Sequence, residues 1–200
     1  GGNLQNIYYV AEGDNPQRLL RDLINRLLGH RRIDLLTSSE VVAQEGSVGA
    51  FRSTVRTPTG EIEVEHAVTI VATGGQEWRG DIYLLGEDDR VVTSHDLEEI
   101  ITHRPEEIAD IKEMVFIQCV RPPEKVEYCS RTCCTNTMKN ALRIKLLNPD
   151  CRIVVLYKDI ITYGFREAFY TEARERGVLF VRYDDEHMPQ VRVNGEEGLE

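Results

Sequence analysis

The chain has 200 residues, 41% of them hydrophobic and 29% charged, a balance ordinary for a globular protein. A net charge of −10 at pH 7 argues against nucleic acid or an anionic membrane surface as partner, and no run of about 18 apolar residues offers a membrane span. Five cysteines, four of them clustered, favour a reducing, cytoplasmic setting and metal ligation over a disulfide framework.

A chain this long buries roughly 70% of its unfolded surface and needs no disulfides to hold a core. With Gly-Gly at its start, no secretory leader and Leu-Glu at its end, it reads as a fragment of something longer.

The first expected element is a short strand at 7–10. Asn15 and Pro16 then supply an N-cap and a first helical position. Leu19, Leu20, Leu23, Ile24, Leu27 and Leu28 repeat at helical spacing, which predicts a helix over 16–28 ended by Gly29. Its apolar stripe is expected to pack on the chain's own sheet.

From 33 to 72 the period changes to two. Strands are expected at 33–36, 41–44, 51–57 and 61–66, with Pro58-Thr59-Gly60 as a turn. The apolar run 67–72 reads as a strand buried on both faces, and it leads into Thr73-Gly74-Gly75. Residues 78–90 read as irregular. Thr93-Ser94 caps a short helix over 96–102, and 104–113 looks like a surface connector at a boundary between two parts, 1–104 and 105–200.

The second part alternates strands (114–120, 152–157, 178–181) with helices (135–147, 165–176), the pattern of a parallel β-α-β-α-β unit. One weak strand is expected at 191–193.

In such a unit ligands sit beyond the carboxyl ends of the strands. The loop after the first strand is where a dinucleotide-binding protein carries glycines. Here it carries Cys119, nine residues, Cys129, three residues, then Cys133 and Cys134. Arg121, Lys125 and Arg131 stand among them to offset thiolate charge, and Pro122-Pro123 would stiffen the excursion.

A helix N-terminus follows, which favours an anionic ligand. The spacing matches neither the common ferredoxin patterns nor paired zinc knuckles. From the residues alone three chemistries stand open: an iron–sulfur cluster, a zinc site, and a redox dithiol or unliganded thiols. Cys151 lies apart and reads as a core residue.

The motifs resemble those of heterodisulfide reductases, in the family of their A-type subunits. VTIVATGG over 68–75 is similar to the strand-to-glycine motif of thioredoxin-reductase-like flavoproteins. FIQCV (116–120), YCSRTCC (128–134), Lys139-Asn140-Ala141, Asp159-Ile160 and TYGFR (162–166) resemble successive motifs of the family.

The resemblance implies an α/β chain with an incomplete thioredoxin-reductase-like fold: a partial FAD-binding domain over 1–104, lacking its glycine fingerprint, then a NAD-domain-like half over 105–200. It implies an electron-transfer module of a flavin and iron–sulfur oxidoreductase, inactive by itself. By motif, Cys119, Cys129, Cys133 and Cys134 would ligate a 4Fe–4S cluster. Lys139 would stand near the flavin ring, and Gly2, Asn3, Val42, Thr73 and Gly74 would line FAD in the full-length parent. Expected partners are other subunits of such a complex and a hydrogenase- or dehydrogenase-type electron donor, with a homodimer also compatible. The alternatives are a structural zinc module or a metal-free scaffold fragment that holds partner subunits.

Overall fold

The structure is a computed structural model that describes residues 2–120, 129–195 and 198–200. Arg121, Pro122, Pro123 and Lys125, expected to flank the cysteines, lie outside the described residues. Contacts divide the chain into two compact units, one of residues 18–75 and one of residues 2–17 together with 76–200. The boundary expected at 104/105 falls inside the second of these.

The first unit holds a three-stranded antiparallel meander of β1 (Glu40–Ser47), β2 (Ala50–Thr57) and β3 (Gly60–His66). The two-residue turn at Pro58-Thr59 closes on Thr57 opposite Gly60, and the Thr57 hydroxyl donates to the Gly60 carbonyl at 2.7 Å. The β1–β2 register skips between Val41 and Ala43, so Val42 occupies a bulge. Ser53 is the most buried residue of the meander: its hydroxyl lies 2.8 Å from His66 Nε2, across β3.

In this unit two expected strands do not form. Residues 33–36 and 67–72 have no ladder partner, and Ile70 and Val71 are more than three-quarters exposed. A run of β-branched residues gives extended propensity, but a strand exists only where a second backbone completes its hydrogen bonds. The helix Pro16–Leu28 has the expected bounds, yet Leu19, Leu23, Ile24 and Leu28 of its stripe are exposed rather than packed on a sheet.

The second unit is built on three parallel strands, β4 (Glu113–Ile117), β5 (Arg152–Tyr157) and β6 (Leu179–Arg182), in the order β4-β5-β6. Between them run a long helix (Thr132–Leu147) and a shorter one (Glu167–Glu175), as the alternation predicts.

With the helices Gly2–Gln5, Pro16–Leu28, Ser94–His103 and Glu106–Ala109 counted first as α1 to α4, these two are α5 and α6. Ile153 and Val155 of β5 are fully buried against Met138, Ala141 and Ile144 of α5, and Leu97 and Ile101 of α3 join the same core. The other face of the sheet is apolar too, but Val115, Leu179 and Val181 on it are about half exposed.

Residues 104–113 are more than a surface connector. They contain α4, and its Ile108 is 1% exposed. Asn148, which ends α5, donates to the carbonyls of Ile108, Ala109 and Ile111 and accepts from the Cys151 N–H. That one amide joins the entries of β4 and β5 to the end of α5.

The segment 7–10 is extended but is no strand, because its N–H groups are taken by a side chain: Tyr8 and Tyr9 donate to Glu98. The tail forms a two-residue ladder of Val193–Asn194 with Gly198–Leu199.

Candidate metal centre

The centre lies past the carboxyl end of β4, and its entry is tightly anchored. Gln118 donates its N–H to the Leu156 carbonyl at 2.8 Å, its amide to the Thr137 hydroxyl of α5, and its carbonyl accepts from the Tyr183 hydroxyl. Its side-chain oxygen has no hydrogen-bond partner among the described residues, although Gln118 is buried.

The next residue, Cys119, has φ +60°, and Arg131 at the far side of the loop has φ +61°. Left-handed non-glycine residues of this kind cost about 1–3 kcal/mol each and persist where the surroundings hold them.

Cys133 and Cys134 sit in the first turn of α5, which has neither a side-chain cap nor an acidic residue there. The helix dipole favours negative charge at that point. Cys134 is 2% exposed, and its sulfur accepts from the Ile161 N–H at 3.4 Å.

The Cys134 thiol is pulled down to about 6, first by the hydrogen bond from Cys133 and then, against burial, by the Ile161 N–H. Cys133 moves the opposite way. Its bond to Cys134 raises it most, burial next, and the charges of Cys134, Cys119 and Cys129 add to both.

The charges that raise Cys133 come from the other three predicted cysteines. The sulfurs of Cys119 and Cys134 both lie near the Asp159 carbonyl, at 3.7 and 3.9 Å. Cys129 is exposed at the rim, and Cys151 is apart and fully buried, as expected for a core residue. Among the described residues, no three of histidine, cysteine, aspartate and glutamate are gathered closely enough to hold one metal ion.

Beside the loop is a cavity of about 190 Å³, lined among others by Arg131, Lys139, Tyr163, Arg166 and Glu12. The guanidiniums of Arg131 and Arg166 lie 5.6 and 5.9 Å from the Tyr163 ring centre. Lys139 is neither solvent-facing nor free: its ammonium is 2.6 Å from Glu98 and 3.1 Å from the Tyr9 carbonyl, with 4% of its side chain exposed.

Sequence reasoning missed Gln118, Glu98 and Tyr9. The long-range pairing of Glu98 leaves no local pattern, whereas a glutamine directly before the first cysteine of an apolar strand was a signal available to it.

The residues expected at FAD fall in both units. Gly2 and Asn3 lie in α1 of the second unit. Val42, Thr73 and Gly74 belong to the first, where Thr73 and Gly74 stand on an exposed stretch without regular structure. A side chain added at Gly74 would meet nothing within 4 Å among the described residues.

No protein-family model matches the chain. It is 34% identical over 142 residues to an A-type iron–sulfur subunit of the CoB–CoM heterodisulfide reductase of Methanopyrus kandleri, across 61% of this chain and 21% of that protein. It is 34% identical over 139 residues to the A-type subunit of the H2/formate:CoB–CoM heterodisulfide,ferredoxin reductase of Methanococcus maripaludis, with the same coverage of each. Over 75 residues, 36% of this chain and 9% of the relative, it is 41% identical to the A-type subunit of the ferredoxin:CoB–CoM heterodisulfide reductase of Methanosarcina acetivorans.

The chain thus spans about a fifth of the length of the first two of these relatives. Among solved structures, HlmI shares 16% identity, with a TM-score of 0.36 over 96% of this chain and 52% of the other. By these relatives, the chain is similar to part of the A-type subunits of heterodisulfide reductases.

Proposed function

We propose that this chain is the cluster-bearing part of a heterodisulfide-reductase-like electron-transfer protein, with Cys119, Cys129, Cys133 and Cys134 as ligands of one 4Fe–4S cluster. The observation that carries the reading is geometric: Cys133 and Cys134 lie in the first turn of α5, where the helix dipole favours negative charge, and the sulfurs of Cys119 and Cys134 both lie near the Asp159 carbonyl. A cluster offers its irons to ligands over a wider span than one tetrahedral ion does, which suits cysteines that share a neighbourhood without forming a single-ion cage. When bound, such a cluster would accept and release one electron at a time.

The protein's own part is to hold four thiolates, to donate the Ile161 N–H to the Cys134 sulfur, and to set Arg131 beside the loop. Hydrogen bonds to cluster sulfurs and nearby charge are what tune a cluster's potential. Passage of electrons to FAD and association with other subunits and a hydrogenase- or dehydrogenase-type donor belong in this reading to the longer parent, and the chain alone turns over no heterodisulfide.

Anaerobic preparation followed by iron, sulfide and zinc analysis tests this. About four irons and four sulfides per chain are expected by cluster stoichiometry, falling sharply in Cys129→Ala and Cys133→Ala. One zinc without sulfide would favour the structural-zinc alternative, and iron content unchanged by those substitutions would remove the cysteines from the site.

A further inference from the structure

The least expected buried group in the second unit is Glu98. It lies mid-helix in α3 and is 1% exposed, and both of its carboxylate oxygens are used. One accepts the backbone N–H groups of Tyr8 at 2.7 Å and Tyr9 at 3.3 Å; the other accepts the Lys139 ammonium at 2.6 Å.

Lys139 donates in addition to the Tyr9 carbonyl at 3.1 Å, and its ammonium lies 4.7 Å from the centre of the Tyr9 ring. The Tyr9 hydroxyl donates to Asn140, the next residue of α5. Burial, and after it the charge of Glu98, pushes the Tyr9 phenol well above its ordinary range, so this ring remains a neutral donor.

Three separate segments thus meet at one carboxylate. One of them, α5, carries Cys133 and Cys134 about one and a half turns before Lys139. Lys139 also lines the cavity beside the cysteine loop.

We propose that Glu98 is a positioning residue for the cysteine site. It holds the Lys139 ammonium at one place in the cavity wall, and through Tyr8 and Tyr9 it makes the N-terminal segment part of that wall. The proposal rests on the reading that a redox group occupies the cysteines. A cluster on four thiolates becomes more negative as it is reduced, so the location of one cation near it sets how easily it takes an electron.

Two hydrogen-bonded groups hold Lys139, and one of its three N–H donors remains for whatever enters the cavity. Glutamine at position 98 cannot replace the carboxylate. With one carbonyl it can serve the Tyr8 and Tyr9 N–H groups or the ammonium, and its NH2 then faces the donors it fails to serve.

The first test needs no metal. Amine acylation followed by peptide mapping of the metal-free chain reads how protected Lys139 is. Lys139 is expected to react slowly in the unaltered chain, about tenfold or more faster in Glu98→Gln, as the loss of a charged hydrogen bond implies, and at an intermediate rate in Glu98→Asp, which keeps the charge. Equal reactivity in the unaltered chain and Glu98→Gln overturns the proposal. Should Glu98→Gln not fold, rapid labelling of Lys139 in the unaltered chain, or a fully freed lysine in folded Glu98→Asp, overturns it as well.

The second test is a redox titration of the chain loaded anaerobically with iron and sulfide. Glu98→Gln should shift the cluster's potential downward as the ammonium leaves its place, against the upward shift that loss of a carboxylate charge alone gives, and that downward shift should vanish when Lys139→Met is already present. An equal shift in both backgrounds would show Glu98 acting as a charge in its own right, and not through the lysine. A chain that protects Lys139 as expected but takes up no iron would sink the functional reading and leave the latch standing.

Discussion

Replacing Lys139 by methionine isolates the energetic weight of the buried ion pair. The side chains of Lys139 and Glu98 are 4% and 1% exposed, so little water can reach either charge. Methionine fills much the same volume but leaves the Glu98 carboxylate with only the Tyr8 and Tyr9 N–H groups as donors. Removing one member of a buried pair typically costs about 3–5 kcal/mol, because an uncompensated charge stays behind. That is a large part of the roughly 5–15 kcal/mol by which domains are stable.

The double variant Lys139→Met with Glu98→Gln buries no lone charge, and its glutamine carbonyl can still accept from the two tyrosine N–H groups. It should cost only about 1–2 kcal/mol, which makes the two substitutions non-additive by several kcal/mol. Urea unfolding followed by the fluorescence of Trp78 measures this, since that single tryptophan belongs to the same unit as the pair. A Lys139→Met loss below about 1 kcal/mol, or a double variant as costly as the sum of the singles, would refute the claim that the pair is desolvated and mutually dependent.

Asn148→Ala should destabilise the second unit by about 2–3 kcal/mol, since four backbone groups lose their partner at once; faster amide exchange at the entries of β4 and β5 is the accompanying sign. Thr93→Ala should cost about 1 kcal/mol, because Thr93 and Asp96 form the capping box of α3. Partial burial tends to raise Asp96, but Arg79 and the hydroxyl and N–H of Thr93 outweigh it and hold the carboxyl below its ordinary range. The stability that Asp96 contributes is therefore fully present above the ordinary carboxylate pKa and is lost as pH falls through the depressed one. Asp96→Asn should flatten that part of the acid limb in a pH series of urea midpoints. Gly46→Ala should disrupt the β1–β2 hairpin by more than about 1 kcal/mol, since φ is +97° there and an added Cβ would lie 2.2 Å from the Ala50 carbonyl oxygen; circular dichroism melts would show no change if the turn were open.

The elements that could be read in the sequence are those whose evidence is local. The helix Pro16–Leu28 has the bounds that Pro16 and Gly29 mark. The meander follows the period-two alternation around Pro58-Thr59-Gly60, and β5 runs over the expected 152–157. The placement of Cys133 and Cys134 at a helix start could be read for the same reason, since the helical pattern begins directly after them. The misread elements depended on what lies opposite. The run 67–72 has the composition of a buried strand but finds no partner ladder, and the leucine stripe on α2 specifies a helix face without specifying what covers it.

The site shows the same division between local and distant evidence, and there it has a chemical consequence. Lys139 was found through its spacing from Cys134, and spacing led to the expectation that it either faces solvent or reaches freely toward a redox centre. Its actual state is decided by Glu98, 41 positions earlier, and by Tyr9, 130 positions earlier. Neither separation has a period that a helix or strand would impose. A buried ion pair becomes favourable only when distant backbone and side-chain donors converge to replace the water that both charges lose. Tyr8 and Tyr9 supply those donors because the segment 7–10, which reads as a strand, spends its N–H groups on a carboxylate instead of a neighbouring strand. The failed strand and the immobilised lysine are therefore linked: the N–H groups missing from a ladder hold one oxygen of the carboxylate whose other oxygen holds the lysine.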